Sequence, residues 1–366
     1  MTKVYGFVAE FNPFHKGHQL FIEKIKQQYH PDVLIAVMSG NFVQRGDFAI
    51  LDKWNRAQLA IENGVDLVVE LPFAFALEPA QFFAQGAMKL LNQLEIDHLV
   101  FGTENQLDFL EMAQKIIASK SDFTQNYNQS SATNLTNYYH SLGIDVEKLP
   151  NQLLGINYAT EIIKGDYDIQ VATIKRLAND YSATKIREAL KEKVSVSDLV
   201  PKLANEMLQD QKLVTWDKYF PYLKYQILSH TPQELGQVYQ MVEGLEYKLK
   251  KEINSSSDFN QFIERIKSKR YTMARLRRLL MYTLINVKES DINDVYENPY
   301  LRILGFNRVG QEYLNSLKKN NVELITRVGK KEQVFLNLEI KVDRIFQLEN
   351  KQEQNFGRIP YMKGVN

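Results

Sequence analysis

Apolar positions in the first half of the chain come in short continuous runs separated by stretches of helical spacing. "KVYGFVAEF" is a short β-like run, and a helix is predicted after the "HKGH" turn to about Tyr29. "DVLIAVMSG", Asp32 to Gly40, is apolar throughout and of strand length. "LDKWNRAQLAIENG" places Trp54, Ala57 and Ile61 on one helical face, with Gly64 as a C-terminal stop. "VDLVVELP" is a second buried-strand run closed by Pro72. Residues 78–94 put Ala80, Phe83, Ala87, Leu90, Leu91 and Leu94 at helical spacing, and "DHLVFGTEN" follows as a further strand. Strands apolar on both faces, alternating with helices, predict a parallel sheet covered on both sides. Ligands of such sheets bind beyond the carboxyl ends of the strands. The segments at those ends are "FNPFHKGH", "SGNFVQRG", "ELPF" and "FGTEN", rich in Gly, Asn, Arg and His.

Residues 121–142 are polar and read as a helical excursion; "PNQLLGINYATEIIKG" reads as a helix and "IQVATIKR" as a fifth strand. "DYSATKIREALKEK" opens on capping residues and turns helical. From about Val194 to Lys288 helical patterns dominate. The remainder mixes a helix, "RVGQEYLNSLKK", with two β-like runs, "VELITRV" and "QVFLNLEI". The fold class expected is α/β: a parallel-sheet domain over residues 1–192, a helical domain over 193–298 and a small mixed segment over 299–366.

Composition narrows the chemistry. The 366 residues include no cysteine, which removes disulfides, thiolate catalysis and Cys-based zinc sites. The formal net charge is +1, so a nucleic-acid surface has to be a local patch. The N-terminus lacks a long apolar core, and no run approaches the roughly 18 apolar residues of a membrane helix. A cytoplasmic location is expected.

His15 and His18 stand at i and i+3 around Gly17, just after the first strand. There a helix N-terminus offers free N–H groups and partial positive charge to a phosphate. Pro13 is expected at the helix entry, and Gly17 to admit a ligand close to the backbone. Two surface histidines beside a turn are the plain alternative. A zinc pair is disfavoured because His30, His98, His140 and His230 complete no HExxH or Cys/His set.

"FNPFHKGH" resembles the HxGH motif of the HIGH nucleotidyltransferase superfamily. With "AVMSGNFVQRGDFAILDKW", "GVDLVVELPF", "FGTEN", "PNQLLGINY", "FPYLKYQIL", "KRYTMARLRRLLMYTLIN" and "LRILGFN", the chain resembles the bacterial tRNA(Met) cytidine acetate ligase family over most of its length. The resemblance implies a Rossmann-like nucleotidyltransferase domain followed by a mainly helical region. It implies ATP-dependent activation of acetate as acetyl-adenylate, then acetylation of N4 of the wobble cytidine of elongator methionine tRNA, with release of AMP and pyrophosphate. Mg²⁺ is expected on the ATP phosphates. The implied ATP loop comprises Phe7, Val8, Ala9, Glu10, Phe11, Asn12, Pro13, Phe14, His15, Lys16, Gly17, His18, Gln19 and Leu20, with Gly102, Asn151 and Arg176 completing the pocket and His15 and His18 catalytic. Ser182, Thr184 and Arg187 of "YSATKIR" resemble the S-x-T-x-I-R motif that closes over the triphosphate; a simple helix cap is the alternative.

Gln44, Arg45 and Lys53 receive no firm role. For RNA, the stretch Arg265 to Arg278 supplies Lys267, Lys269, Arg270, Arg275, Arg277 and Arg278, with Tyr271 among them and no acidic residue. The polar stretch 120–141 is a second candidate contact region. A small-metabolite adenylyltransferase and a non-catalytic RNA-binding protein remain as alternatives.

Overall fold

The computed structural model describes residues 2–105, 107–119, 131–141, 143, 150–176, 181–210, 213–242 and 244–365. The first half runs β1 (Val4–Ala9), α1 (Lys16–Tyr29), β2 (Val33–Ser39), β3 (Phe42–Val43), β4 (Asp47–Phe48), α2 (Lys53–Glu62), β5 (Leu67–Leu71), α3 (Phe73–Ala76), α4 (Ala80–Gln93), β6 (His98–Thr103), α5 (Phe109–Ala118), α6 (Ser131–Ser141), α7 (Pro150–Lys164), β7 (Gln170–Lys175) and α8 (Ala183–Lys191). Then come α9 (Lys202–Asp210), α10 (Trp216–Ser229), α11 (Pro232–Gly236), α12 (Leu245–Asn254), α13 (Phe259–Ile266), α14 (Met273–Ile285), α15 (Glu289–Glu297), β8 (Leu301–Asn307), α16 (Arg308–Lys319), β9 (Leu324–Ile325), α17 (Glu332–Phe335), α18 (Asn337–Asn350) and β10 (Tyr361–Lys363).

The central sheet has the order β10-β8-β5-β2-β1-β6-β7, with β9 added beside β8. The β1–β2, β2–β5, β1–β6 and β6–β7 pairs are parallel. Alternation along β2 shows why its run is apolar throughout. Val33, Ile35 and Val37 enter one core with Leu90, Leu91 and Leu94 of the α4 segment. Leu34, Ala36 and Met38 enter the other, with Ile22 and Ile25 of α1 and Ala57, Ala60 and Ile61 of α2. Each large aliphatic side chain buried this way stabilises by roughly 1.5–3 kcal/mol.

From β1 the chain winds to β2 and β5 on one side, then crosses to β6 and β7 on the other. The switch point therefore lies between β1 and β6, and a crevice opens beyond their carboxyl ends.

The C-terminal segment departs from the expected pattern. The stretch 299–366 contributes β8 and β10 to the central sheet, with β8 antiparallel to β5. "QVFLNLEI", expected as β-like, is helical in α17 and α18. Leu336, Leu338 and Ile340 are buried at period two, but the helix also buries Glu339 and leaves Val334 76% exposed, so the alternation is incomplete. "VELITRV" keeps only the two-residue β9.

The helical half packs directly on the sheet half. Trp216, Tyr219 and Leu280 share one continuous core with Leu67 and Val69. Trp216 Nε1 donates to Gly46 O at 2.9 Å, and Tyr282 OH donates to Leu77 O at 2.9 Å. Among the described residues, no helix is long and apolar enough to cross a membrane.

Candidate active site

The turn from β1 into α1 is built by aromatic packing and a histidine cap. Helix α1 begins at Lys16, so Pro13 lies before the cap rather than at the first helical position. Phe11 and Phe14 are buried, with ring centroids 4.8 Å apart, and both lie against the His18 ring at 5.0 and 5.6 Å. His15 is the N-cap, and its Nδ1 accepts from Gly17 N–H at 3.1 Å. His18 Nδ1 accepts in return from His15 N–H at 3.2 Å. The two imidazoles stack at 3.7 Å. Gly17 is required less for ligand approach than for this cap: a Cβ there would stand 2.9 Å from His15 Cε1.

The cap sets the protonation. A neutral imidazole that accepts at Nδ1 carries its proton on Nε2. Both rings are neutral at pH 7. Burial, then the Arg176 charge, lowers the His15 pKa to about 4. His18 lies well below the ordinary histidine value, through burial, then His15 and Arg176. The turn thus holds two Nε2–H donors at a helix N-terminus, without the desolvation cost of two buried cations.

These rings line a cavity of about 240 Å³ at the switch point. Val8 of β1, Phe101 and Gly102 of β6, Ile174 of β7 and Leu154 and Tyr158 of α7 form its apolar walls. Its polar lining comes from His15, His18, Lys24, Asn151, Lys175 and Arg176. Glu104 organises two of these. Its Oε1 accepts from Asn151 Nδ2 at 2.7 Å and lies 3.9 Å from Arg176 Nη1. Its Oε2 is buried, with no hydrogen-bond partner among the described residues.

Of the residues expected from sequence, the structure brings Val8, His15, Gly17, His18, Leu20, Gly102, Asn151 and Arg176 to this cavity. The rest of the expected loop supports it instead. Phe7, Phe11 and Phe14 are core. Asn12 holds the loop, its Oδ1 accepting from Ile50 N–H at 2.8 Å and its Nδ2 donating to Phe48 O at 3.3 Å. Glu10 accepts from Gln44 N–H at 2.7 Å, and burial raises its pKa above the ordinary carboxylate value. Lys16 N–H donates to Leu199 O at 3.0 Å. Ala9 and Gln19 are not among the lining residues.

Ser182 is the N-cap of α8, accepting from Lys185 N–H at 3.5 Å. Thr184 accepts from Arg187 Nη2 at 3.2 Å, while Arg187 Nη1 donates to Asn12 O at 2.8 Å. Thr184 and Arg187 line a second cavity.

Lys53 is fully buried, 2.7 Å from Glu70 and 2.6 Å from Asp343, and does not reach the site. The RNA-contact expectation also narrows. Arg278 is 9% exposed and donates to Gln44 O at 3.3 Å, because α14 packs that face onto the β3–β4 hairpin. Arg277 pairs with Asp47 at 2.8 Å, and Arg275 lies over the Tyr271 ring at 4.6 Å. Lys267, Lys269 and Arg270 are exposed. Of the second stretch, residues 120–130 lie outside the described residues.

Sequence reasoning missed Lys24, Phe21 and Tyr158, which reach the cavity from helix faces, and Tyr181, which precedes the N-cap of α8. It also missed Arg56, whose fully buried guanidinium donates to Glu10 O at 2.7 Å, to Ser39 O at 2.9 Å and to Gly40 O. Arg56 thereby ties together the carboxyl ends of β1 and β2.

The profile of the HIGH Nucleotidyl Transferase family matches residues 2–358. The tRNA(Met) cytidine acetate ligase of Latilactobacillus sakei is 39% identical over 380 residues, covering 98% of this chain and 97% of the relative. That of Lactobacillus gasseri is 39% identical over 381 residues, covering 98% of each chain. Crystal structures of Thermotoga maritima TmcAL, apo and bound with alpha-thio ATP, superpose with TM-score 0.88 at 28% identity, over 100% of both chains.

Proposed function

The chain belongs to the tRNA(Met) cytidine acetate ligase family of HIGH nucleotidyl transferases, and we propose that it uses ATP and acetate to acetylate the wobble cytidine of elongator methionine tRNA. The observation that carries this reading is the pair of neutral histidines capping α1 at the mouth of the switch-point cavity. The location of the reaction is the cytoplasm, where its ATP and tRNA are found.

In the first step an acetate oxygen attacks the α-phosphorus of ATP, the bond to the bridging oxygen breaks, and pyrophosphate leaves. Charge grows on the phosphoryl oxygens as this happens. The Nε2–H groups of His15 and His18 and the N-terminus of α1 are placed to donate to that charge. Arg176 supplies a guanidinium fork for phosphate. The apolar walls around Val8, Phe101 and Gly102 take the flat adenine, and Asn151, its Nδ2 held by Glu104, keeps Oδ1 for an adenine or ribose donor. In the second step N4 of cytidine attacks the acetyl carbon, the acyl C–O bond breaks, AMP leaves and N4 loses a proton.

Among the described residues no group of three or more His, Asp or Glu side chains is placed to hold a metal. In this reading Mg²⁺ would be carried mainly by the ATP phosphates and water.

Incubation with ATP, labelled acetate and elongator methionine tRNA should place label in the RNA and release AMP and pyrophosphate. Absence of both label and AMP contradicts the proposal.

A further inference from the structure

A second cavity, of about 310 Å³, lies between the β3–β4 hairpin, α8 and the helical half. Both halves of the molecule line it, and His15 and His18 line the other cavity, not this one. We propose that this cavity receives one nucleotide of the substrate RNA, beside the base that reacts. The inference rests on the function proposed above.

Its lining has the two components of a single-stranded RNA site. Arg45, Arg187, Lys191 and Arg277 supply positive charge, and the nearly buried Trp216 and Phe259 supply an apolar floor. Trp216 and Phe259 stack at 4.3 Å with 7° between their planes, and Phe48 meets Trp216 edge-on at 5.2 Å. The indole N–H is already committed to Gly46 O, which fixes the ring without a ligand. Arg277 is anchored by Asp47 at 2.8 Å, yet its Nε is buried and has no hydrogen-bond partner among the described residues. Arg45 and Lys191 are exposed and make no salt bridge among the described residues.

The same lining argues against the triphosphate as occupant. Asp47, Glu188 and Asp217 also face this space, and three carboxylates repel a polyphosphate. They suit a nucleotide, whose single phosphate takes one or two cations and whose exocyclic amines donate to carboxylates. Arg187 joins this cavity to the chemistry, since it lines the cavity and donates to Asn12 O in the turn that leads to His15. An RNA strand held here is thereby placed against the adenylylation turn.

The test uses the full chain and the double variant R45A/K191A, whose exposed side chains can be removed without opening the core. Fluorescence anisotropy of a labelled methionine tRNA transcript is measured across salt concentration, beside the affinity for a non-hydrolysable ATP analogue. The expected result is RNA affinity lower by about tenfold or more, with a salt slope shallower by roughly one to two. Affinity for the ATP analogue stays within about twofold of wild type. Unchanged RNA affinity and slope overturn the inference. Weakened ATP-analogue binding with unchanged RNA binding overturns it too, and reassigns the cavity to the triphosphate. Failure of the wild-type protein to bind the transcript refutes the substrate reading itself, and the inference with it.

Discussion

The Nδ1 atom of His18 accepts the backbone N–H of His15 at 3.2 Å, and the two rings stack at 3.7 Å. The His15 ring faces back over Gly17 and accepts its N–H at 3.1 Å. The reciprocal cap gives α1 its start and gives both imidazoles one tautomer. In the proposed mechanism the helix start and the stabilisation of phosphoryl charge share these two hydrogen bonds.

His15→Asn separates them directly. Asn is a good N-cap but lacks the Nε2–H donor. It should keep the thermal stability of the wild-type protein while lowering kcat by about 10²-fold, the magnitude of losing one transition-state donor. His15→Ala should lower kcat similarly and also cost about 1 kcal/mol in a denaturant titration. Equal stability loss in both variants contradicts the capping role.

The acid limb of the pH profile reports the buried rings. His15 titrates near 4 and His18 well below 6.5, so both remain neutral donors through pH 6. The profile of kcat/KM, which reads the free enzyme, should show no histidine step at 6.5 and should fall only toward pH 4. Stability shares the sign. The unfolded chain binds protons at these positions first, so folding weakens as pH drops from about 6.5 toward 4. An inflection at 6.5 in kcat/KM runs against burial as the dominant cause.

Gly17→Ala tests the cap from its other side. The added Cβ stands 2.9 Å from His15 Cε1 and 3.1 Å from Tyr181 Cβ, so the His15 ring must move. Alanine favours the helix by about 1 kcal/mol, which offsets part of the strain. The expected outcome is a fall in kcat of about tenfold or more, with stability within about 1 kcal/mol of wild type. Unchanged turnover would show that the ring position does not matter.

Lys53→Met addresses a cation that resembles a substrate contact in the sequence. Removal of the ammonium leaves Glu70 and Asp343 buried, with Arg302 at 3.5 and 3.7 Å as their remaining cation. Breaking a buried pair in this way costs about 3–5 kcal/mol. Urea titration should show that loss. A variant as stable as wild type but inactive contradicts the structural role.

The sequence revealed the elements whose physics is local. β1, β2, β5, β6 and β7 are apolar runs at helix-separated intervals, and the His15–Gly17–His18 spacing marks the turn. β8 escaped because "LRILGFN" lies 230 residues beyond β5, from Leu71 to Leu301, with the whole helical half between them in sequence. Lys53 and Arg278 stood as possible substrate or RNA contacts and Arg56 was missed, since burial of a charge depends on partners far away in sequence, such as Asp343 for Lys53. Tyr158 and Lys24 reach the cavity from helix faces whose direction is set by packing. Glu104 stood two residues after Gly102 in "FGTEN"; its position at the strand end was a usable signal for a carboxylate at the cavity.

The measurement that tests the account most directly is nitrogen NMR of the protein labelled with ¹⁵N-histidine, at pH 7, with and without a saturating non-hydrolysable ATP analogue. The account predicts that His15 and His18 are both neutral with the proton on Nε2, and that the nucleotide shifts both Nε2 resonances. Doubly protonated rings, protons on Nδ1, or Nε2 resonances indifferent to bound nucleotide would contradict it.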